Sequence, residues 1–61
     1  MKTAADFAKA ATQMSHAAEW MKPDEADPNA QARKLVQYHL NVAAKHTREI
    51  AEALAKQESQ S

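Results

Sequence analysis

The stretch Lys22-Pro23-Asp24-Glu25-Ala26-Asp27-Pro28-Asn29 decides the fold of this chain. It holds both prolines, and apolar residues recur at helical spacing on either side of it. Proline lacks the amide hydrogen that a helix interior needs, and it pushes the residue before it out of helical conformation. Lys22 and Asp27 are those preceding residues. The stretch reads as a breaker over residues 23–28 that joins two helices of unequal length into an antiparallel hairpin. Pro23 is expected to open one extra turn across Asp24, Glu25 and Ala26.

On the N-terminal side the pattern predicts a first helix over about residues 4–22. Thr3 suits the N-cap, and Asp6 places a carboxylate near the free amides of the first turn. Ala4, Phe7, Ala11, Met14, Ala18 and Met21 recur at intervals of 3, 4, 3, 4 and 3 residues, an unbroken heptad. Alanine lets a neighbouring backbone approach closely, and the larger side chains interlock beside it.

On the C-terminal side a second helix is expected over about residues 28–57, with Asp27 as N-cap and Pro28 at the first helical position. Val36, Leu40, Ala43, Thr47, Ile50 and Leu54 form one seam. Ala32, Leu35, His39, Val42, His46 and Ala53 form a stripe beside it. This helix therefore has two contact faces. Residues 58–61 are expected to fray as a polar tail.

Equal rise along both helices predicts the register. Ala18 would lie level with Arg33, Met14 with Gln37, Ala11 with Leu40 and Phe7 with Ala44. The intramolecular seam would thus join Phe7, Ala11, Met14, Ala18 and Met21 to Val36, Leu40 and Ala43. Helix 2 would overhang the start of helix 1 by roughly 15 Å at 1.5 Å per residue. Ile50 and Leu54 would stand uncovered on that overhang.

Composition narrows the function. The 61 residues make one domain, and 15 of them are alanine. So short a chain buries little surface and gains from a partner. A homodimer forming a four-helix bundle is the expected assembly. Glycine is absent, which argues against tight hairpin turns between strands. Cysteine is absent, so there is no disulfide framework or thiolate chemistry. There is no apolar signal core or membrane span, and a cytoplasmic location is expected. Eight basic side chains balance eight acidic ones, leaving no global pull toward nucleic acid or anionic lipid.

No motif of nucleophilic, phosphate-binding or zinc chemistry occurs. Asp24, Glu25 and Asp27 read as a solvated capping loop. The chain is expected to be no enzyme, with no cofactor and no small-molecule substrate. His16-x-x-Glu19 and His46-x-x-Glu49 each supply two ligand types on a helical face, fewer than a stable metal site needs. In a dimer with its twofold axis between Val42 and Ala43, His39 would face the mate's His46. That pairing would make a pH-sensitive or metal-binding seam. The expected partner and dimer interface comprises Trp20, Leu35, Tyr38, His39, Val42, His46, Ile50 and Leu54. Lys34, Asn41, Lys45 and Arg48 form a candidate RNA face, which lacks an interleaved aromatic for base stacking.

Two heptad helices around a short acidic turn, in about sixty residues, resemble the repressor-of-primer family of plasmid RNA-binding proteins. The resemblance is one of layout, without a shared run of residues, and it implies an RNA-binding hairpin dimer. Lys22-Pro23 through Asp27-Pro28, with Gln31 and Tyr38, resembles the proline-bounded turn of type III secretion needle subunits. That likeness implies a small subunit or chaperone of a secretion assembly. The polar C-terminal end here differs from the apolar terminus of needle subunits. The residues themselves point first to a small interaction protein. It would be a regulator, inhibitor or adaptor of bacterial, plasmid or phage type that docks by a helix face on itself or on a larger protein.

Overall fold

Two α-helices pack side by side in a computed structural model that describes residues 2–60. Helix α1 runs Ala4–Trp20 and helix α2 runs Ala30–Gln60, with no strand among the described residues. At about 1.5 Å per residue α2 alone spans roughly 46 Å. It sets the 52 Å long axis of a body only 15 by 13 Å across.

Each helix starts where side chains satisfy its free amides. Thr3 Oγ1 accepts from the Asp6 amide at 3.4 Å, and Asp6 Oδ2 accepts from the Thr3 amide at 3.0 Å. This reciprocal capping box fixes the start of α1. Asp6 accordingly has its carboxyl pKa lowered, through the backbone and then the side-chain hydrogen bonds from Thr3. At the start of α2, Asp27 Oδ1 accepts from the Asn29 amide at 2.8 Å. The Asp27 carbonyl also accepts from the Ala30 amide at 3.1 Å. Its other carboxylate oxygen pairs with Arg33 Nε at 2.7 Å. Asp27 therefore does the capping, although regular helix begins at Ala30 rather than Pro28.

The connection carries the expected extra turn across Asp24, Glu25 and Ala26, as one isolated turn, while α1 stops two residues short of the expected Lys22. Met21 closes α1, and Asp24 to Asp27 make a turn held by the Asp27 amide on the Asp24 carbonyl at 3.1 Å. The C-terminal end differs too. Helix persists to Gln60 instead of fraying from residue 58; Ser61 of the expected tail lies outside the described residues. The cause is local. Glu58 Oε2 accepts from the Ala4 amide at 2.9 Å, which places a carboxylate at the positive end of α1.

Three tertiary hydrogen bonds set the register. Ala4 meets Glu58, Met14 Sδ accepts from Thr47 Oγ1 at 3.6 Å, and the Ala18 carbonyl accepts from Gln37 Nε2 at 3.1 Å. Side chains lean toward the N-terminus of their own helix, while carbonyls point toward the C-terminus. With that allowance the bonds put Met14 level with Ala44 and Phe7 level with Ala51. This register is one heptad further along α2 than equal rise from the breaker predicts. The connection Met21–Asn29 is longer than the expected breaker over residues 23–28, and its Asp27 pairs with Arg33 in the first turn of α2.

Burial follows the same lines. The buried residues are Ala4, Ala11, Ala18, Ala44 and Ala51. Phe7, Met14 and Met21 are half-buried on α1, as are Arg33, Gln37, Leu40, Thr47 and Leu54 on α2. The α1 side of the seam is the heptad read from the sequence. The α2 side is rotated from the expected one. Ala44 and Ala51 take the centre, Ala43 is half-buried, and Val36 and Ile50 stand exposed. Close approach of the backbones explains this. Small residues take the α2 positions nearest α1, which lets the backbones come close, and the branched side chains of Val36 and Ile50 stand away from the seam centre.

Candidate docking face

The outer face of α2 carries what the seam leaves out. Successive residues of a helix are about 100° apart. On that geometry Ala32, Leu35, His39, Val42, Ala43, His46, Ile50 and Ala53 share one arc, turned well away from α1. All are exposed except the half-buried Ala43. Leu35 is 58% exposed, Ile50 48% and Val42 37%. The arc has no lysine, arginine, aspartate or glutamate. The polar arc beyond it holds Lys34, Asn41, Lys45, Arg48 and Glu52, all exposed.

The exposure of Ile50 therefore has a different origin from the expected overhang. Ile50 lies within the span of α2 that α1 accompanies, and it is exposed because it faces outward. Leu54 is half-buried on the seam side, level with the start of α1, so it is not an uncovered overhang residue. Past Leu54 only the polar turns to Gln60 continue, and Glu58 there reaches back to α1.

Among the described residues Trp20 is the most exposed large apolar one, at 83%, and Tyr38 is 63% exposed. They do not form one patch. Trp20 sits on the back of α1 opposite its seam, and Tyr38 sits at the border between the apolar and polar arcs of α2. The Tyr38 ring meets the His39 ring edge-on, with centroids 5.5 Å apart. His46 Nδ1 lies 3.7 Å from Glu49 Oε1, with both side chains largely exposed. Among the described residues no group of three histidine, cysteine or acidic side chains is placed to hold a metal ion. His39 and His46 stand about two turns apart along one face of one helix.

The candidate RNA residues are only partly gathered. Asn41, Lys45 and Arg48 line a shallow hollow of about 260 Å³ with Ser15 of α1. Glu49 and Glu52 line the same hollow, so a phosphate there would meet two carboxylates. Lys34 is not part of it. A second hollow of about 430 Å³ lies along α1 among Lys2, Asp6, Phe7, Lys9, Ala10 and Gln13. It is open, and its carboxylate is already engaged with Thr3.

Sequence reasoning placed Thr47 in the seam but missed three other polar residues that hold the hairpin together: Arg33, Gln37 and Glu58. Their signal was present as a heptad through Ala30, Arg33, Gln37, Leu40, Ala44, Thr47, Ala51, Leu54 and Glu58. It was masked because larger apolar residues repeat one position earlier. Among the described residues no helix is long and apolar enough to cross a membrane. No protein-family model matches the chain, and no curated protein or solved structure is significantly similar to it.

Proposed function

We propose that this chain is a non-enzymatic protein–protein interaction module, a small cytoplasmic regulator, inhibitor or adaptor that works by helix-face docking. Its docking surface is the outer arc of α2, from Ala32 to Ala53. Two hairpins meeting there would complete a four-helix bundle, and the same chemistry suits a helical surface on a larger protein.

One observation carries this reading. Among the described residues the hairpin buries no side chain larger than alanine, while Leu35, Val36, Val42 and Ile50 stand exposed along α2. Each such side chain gains about 1.5–3 kcal/mol when fully buried. Exposed apolar residues that continue as a stripe mark an interaction surface.

The test is affinity capture with two opposed variants. Leu35→Glu with Ile50→Glu places charges on the apolar arc. Lys45→Glu with Arg48→Glu reverses the polar one. Docking by the apolar arc predicts that only the first pair abolishes association, whether with a second copy or with a defined protein partner. Loss of RNA retention with the second pair, and an unchanged association with the first, would favour the RNA reading instead.

A further inference from the structure

The outer arc of α2 reads the same in both directions. About the point between Val42 and Ala43, Val42 is matched by Ala43, His39 by His46, Leu35 by Ile50 and Ala32 by Ala53. Each pair lies equally far from that point, and each joins residues of the same kind. All eight residues fall on one arc. A twofold axis makes residue i of one copy face residue j of the other while j faces i. A self-matching stripe is what such an axis requires, whereas a surface for a different partner has no need of internal symmetry.

We infer that the face is occupied by a second copy of this chain. Its α2 runs antiparallel, with the twofold axis passing between Val42 and Ala43. This rests on the docking reading above and names its partner. In this pairing Leu35 packs on Ile50 of the mate, His39 meets the mate's His46, and Ala32 meets the mate's Ala53. The small pair at each end lets the helices stay close. The centre places Val42 against the mate's Ala43, a large residue against a small one. No like charges oppose one another along the stripe, because it carries no lysine, arginine or carboxylate. The two α2 helices form the middle of the assembly, and each α1 lies on its outside. A standard stable interface buries about 800 Å² per partner. That is about a sixth of the 5007 Å² that this hairpin exposes.

The lack of native cysteine makes the geometry directly testable. Leu35→Cys and Ile50→Cys are prepared as separate proteins, oxidised alone and as a mixture. Antiparallel pairing sets position 35 beside position 50 of the mate. It holds the two positions 35 apart by 15 residues of rise, about 22 Å, beyond the ~7 Å limit between Cα atoms for a disulfide. The expected result is a disulfide-linked species in the mixture and none in either variant alone. Disulfides in each variant alone would mean parallel pairing and would overturn the inference. Sedimentation equilibrium of the unmodified protein adds a second readout. A monomer that still captures a defined protein partner through the same arc would sink the inference and leave the docking reading standing. Leu35→Glu with Ile50→Glu, helical by circular dichroism and unchanged in every association, would remove both.

Discussion

The amide of Ala4 donates to Glu58 Oε2 across 54 positions of sequence, at 2.9 Å. The bond joins the first turn of α1 to the last turns of α2. It therefore closes the open end of a hairpin whose other end is held by the Asp27–Arg33 pair and by Gln37 on the Ala18 carbonyl. Between these ends the seam is mostly alanine with a few half-buried larger residues. Polar contacts fix which residues are level, and small residues fix how close the helices come.

Replacing Glu58 tests the first part. Glu58→Ala removes a carboxylate from the positive end of α1, and the expected loss is about 0.3–1 kcal/mol. The turns after Leu54 should then exchange their amide hydrogens faster, as measured by NMR. Glu58→Gln keeps an acceptor and should show the smaller effect. Equal protection in all three proteins would show that the bond holds nothing in place.

Enlarging a seam alanine tests the close approach. Ala11 is fully buried and Ala44 nearly so. Ala11→Leu or Ala44→Leu should destabilise the fold by about 1–3 kcal/mol through overpacking. Ala8 is exposed on the same helix. Ala8→Leu should stay within about 0.5 kcal/mol of the parent in urea denaturation.

The capping box gives a pH dependence of known sign. Hydrogen bonds from Thr3 hold the Asp6 carboxyl below its ordinary value of 3.8. A group whose pKa is lowered by folding stabilises the fold above its unfolded value, and the contribution disappears as pH falls through the lowered one. Thr3→Ala should therefore reduce helix content at neutral pH. The gap between variant and parent should narrow in acid below the ordinary carboxylate range, leaving the part that Thr3 Oγ1 contributes by accepting from the Asp6 amide. Circular dichroism against pH reads this directly, and a gap that widens in acid would contradict the assignment.

Trp20 offers a control. It is the chain's only tryptophan, and it points away from the seam. Trp20→Ser should leave the denaturation midpoint unchanged, within about 0.5 kcal/mol. The parent's fluorescence should be that of a hydrated indole, and it should remain so on self-association, because the proposed twofold interface lies on α2. A blue shift with rising concentration would place Trp20 in the interface instead.

Much of this architecture was legible from the breaker outward. The two prolines, Thr3 and Asp6, and the Ala4 to Met21 heptad act locally, so their spacing alone determines the start of α1, its seam and the place of the break. The register was not legible in the same way. It depends on the path of Met21–Asn29 between the helices, which is a tertiary matter. Apolar size was also a misleading guide to the α2 seam. Val36 and Ile50 are larger than Ala44 and Ala51, but the close approach of two alanine-bearing backbones favours the smaller residues. That displacement is also what frees the outer arc. Leu35, His39, Val42 and His46, expected at an interface, are exposed there. Leu54, expected with them, belongs to the seam side.

The central claim is that the outer arc of α2 pairs with itself. Sedimentation equilibrium of the unmodified chain beside Leu35→Glu tests it most directly. The parent should sediment at twice the chain mass and the variant at a single chain mass. A parent that sediments as one chain at every concentration, or a variant as dimeric as the parent, would contradict it.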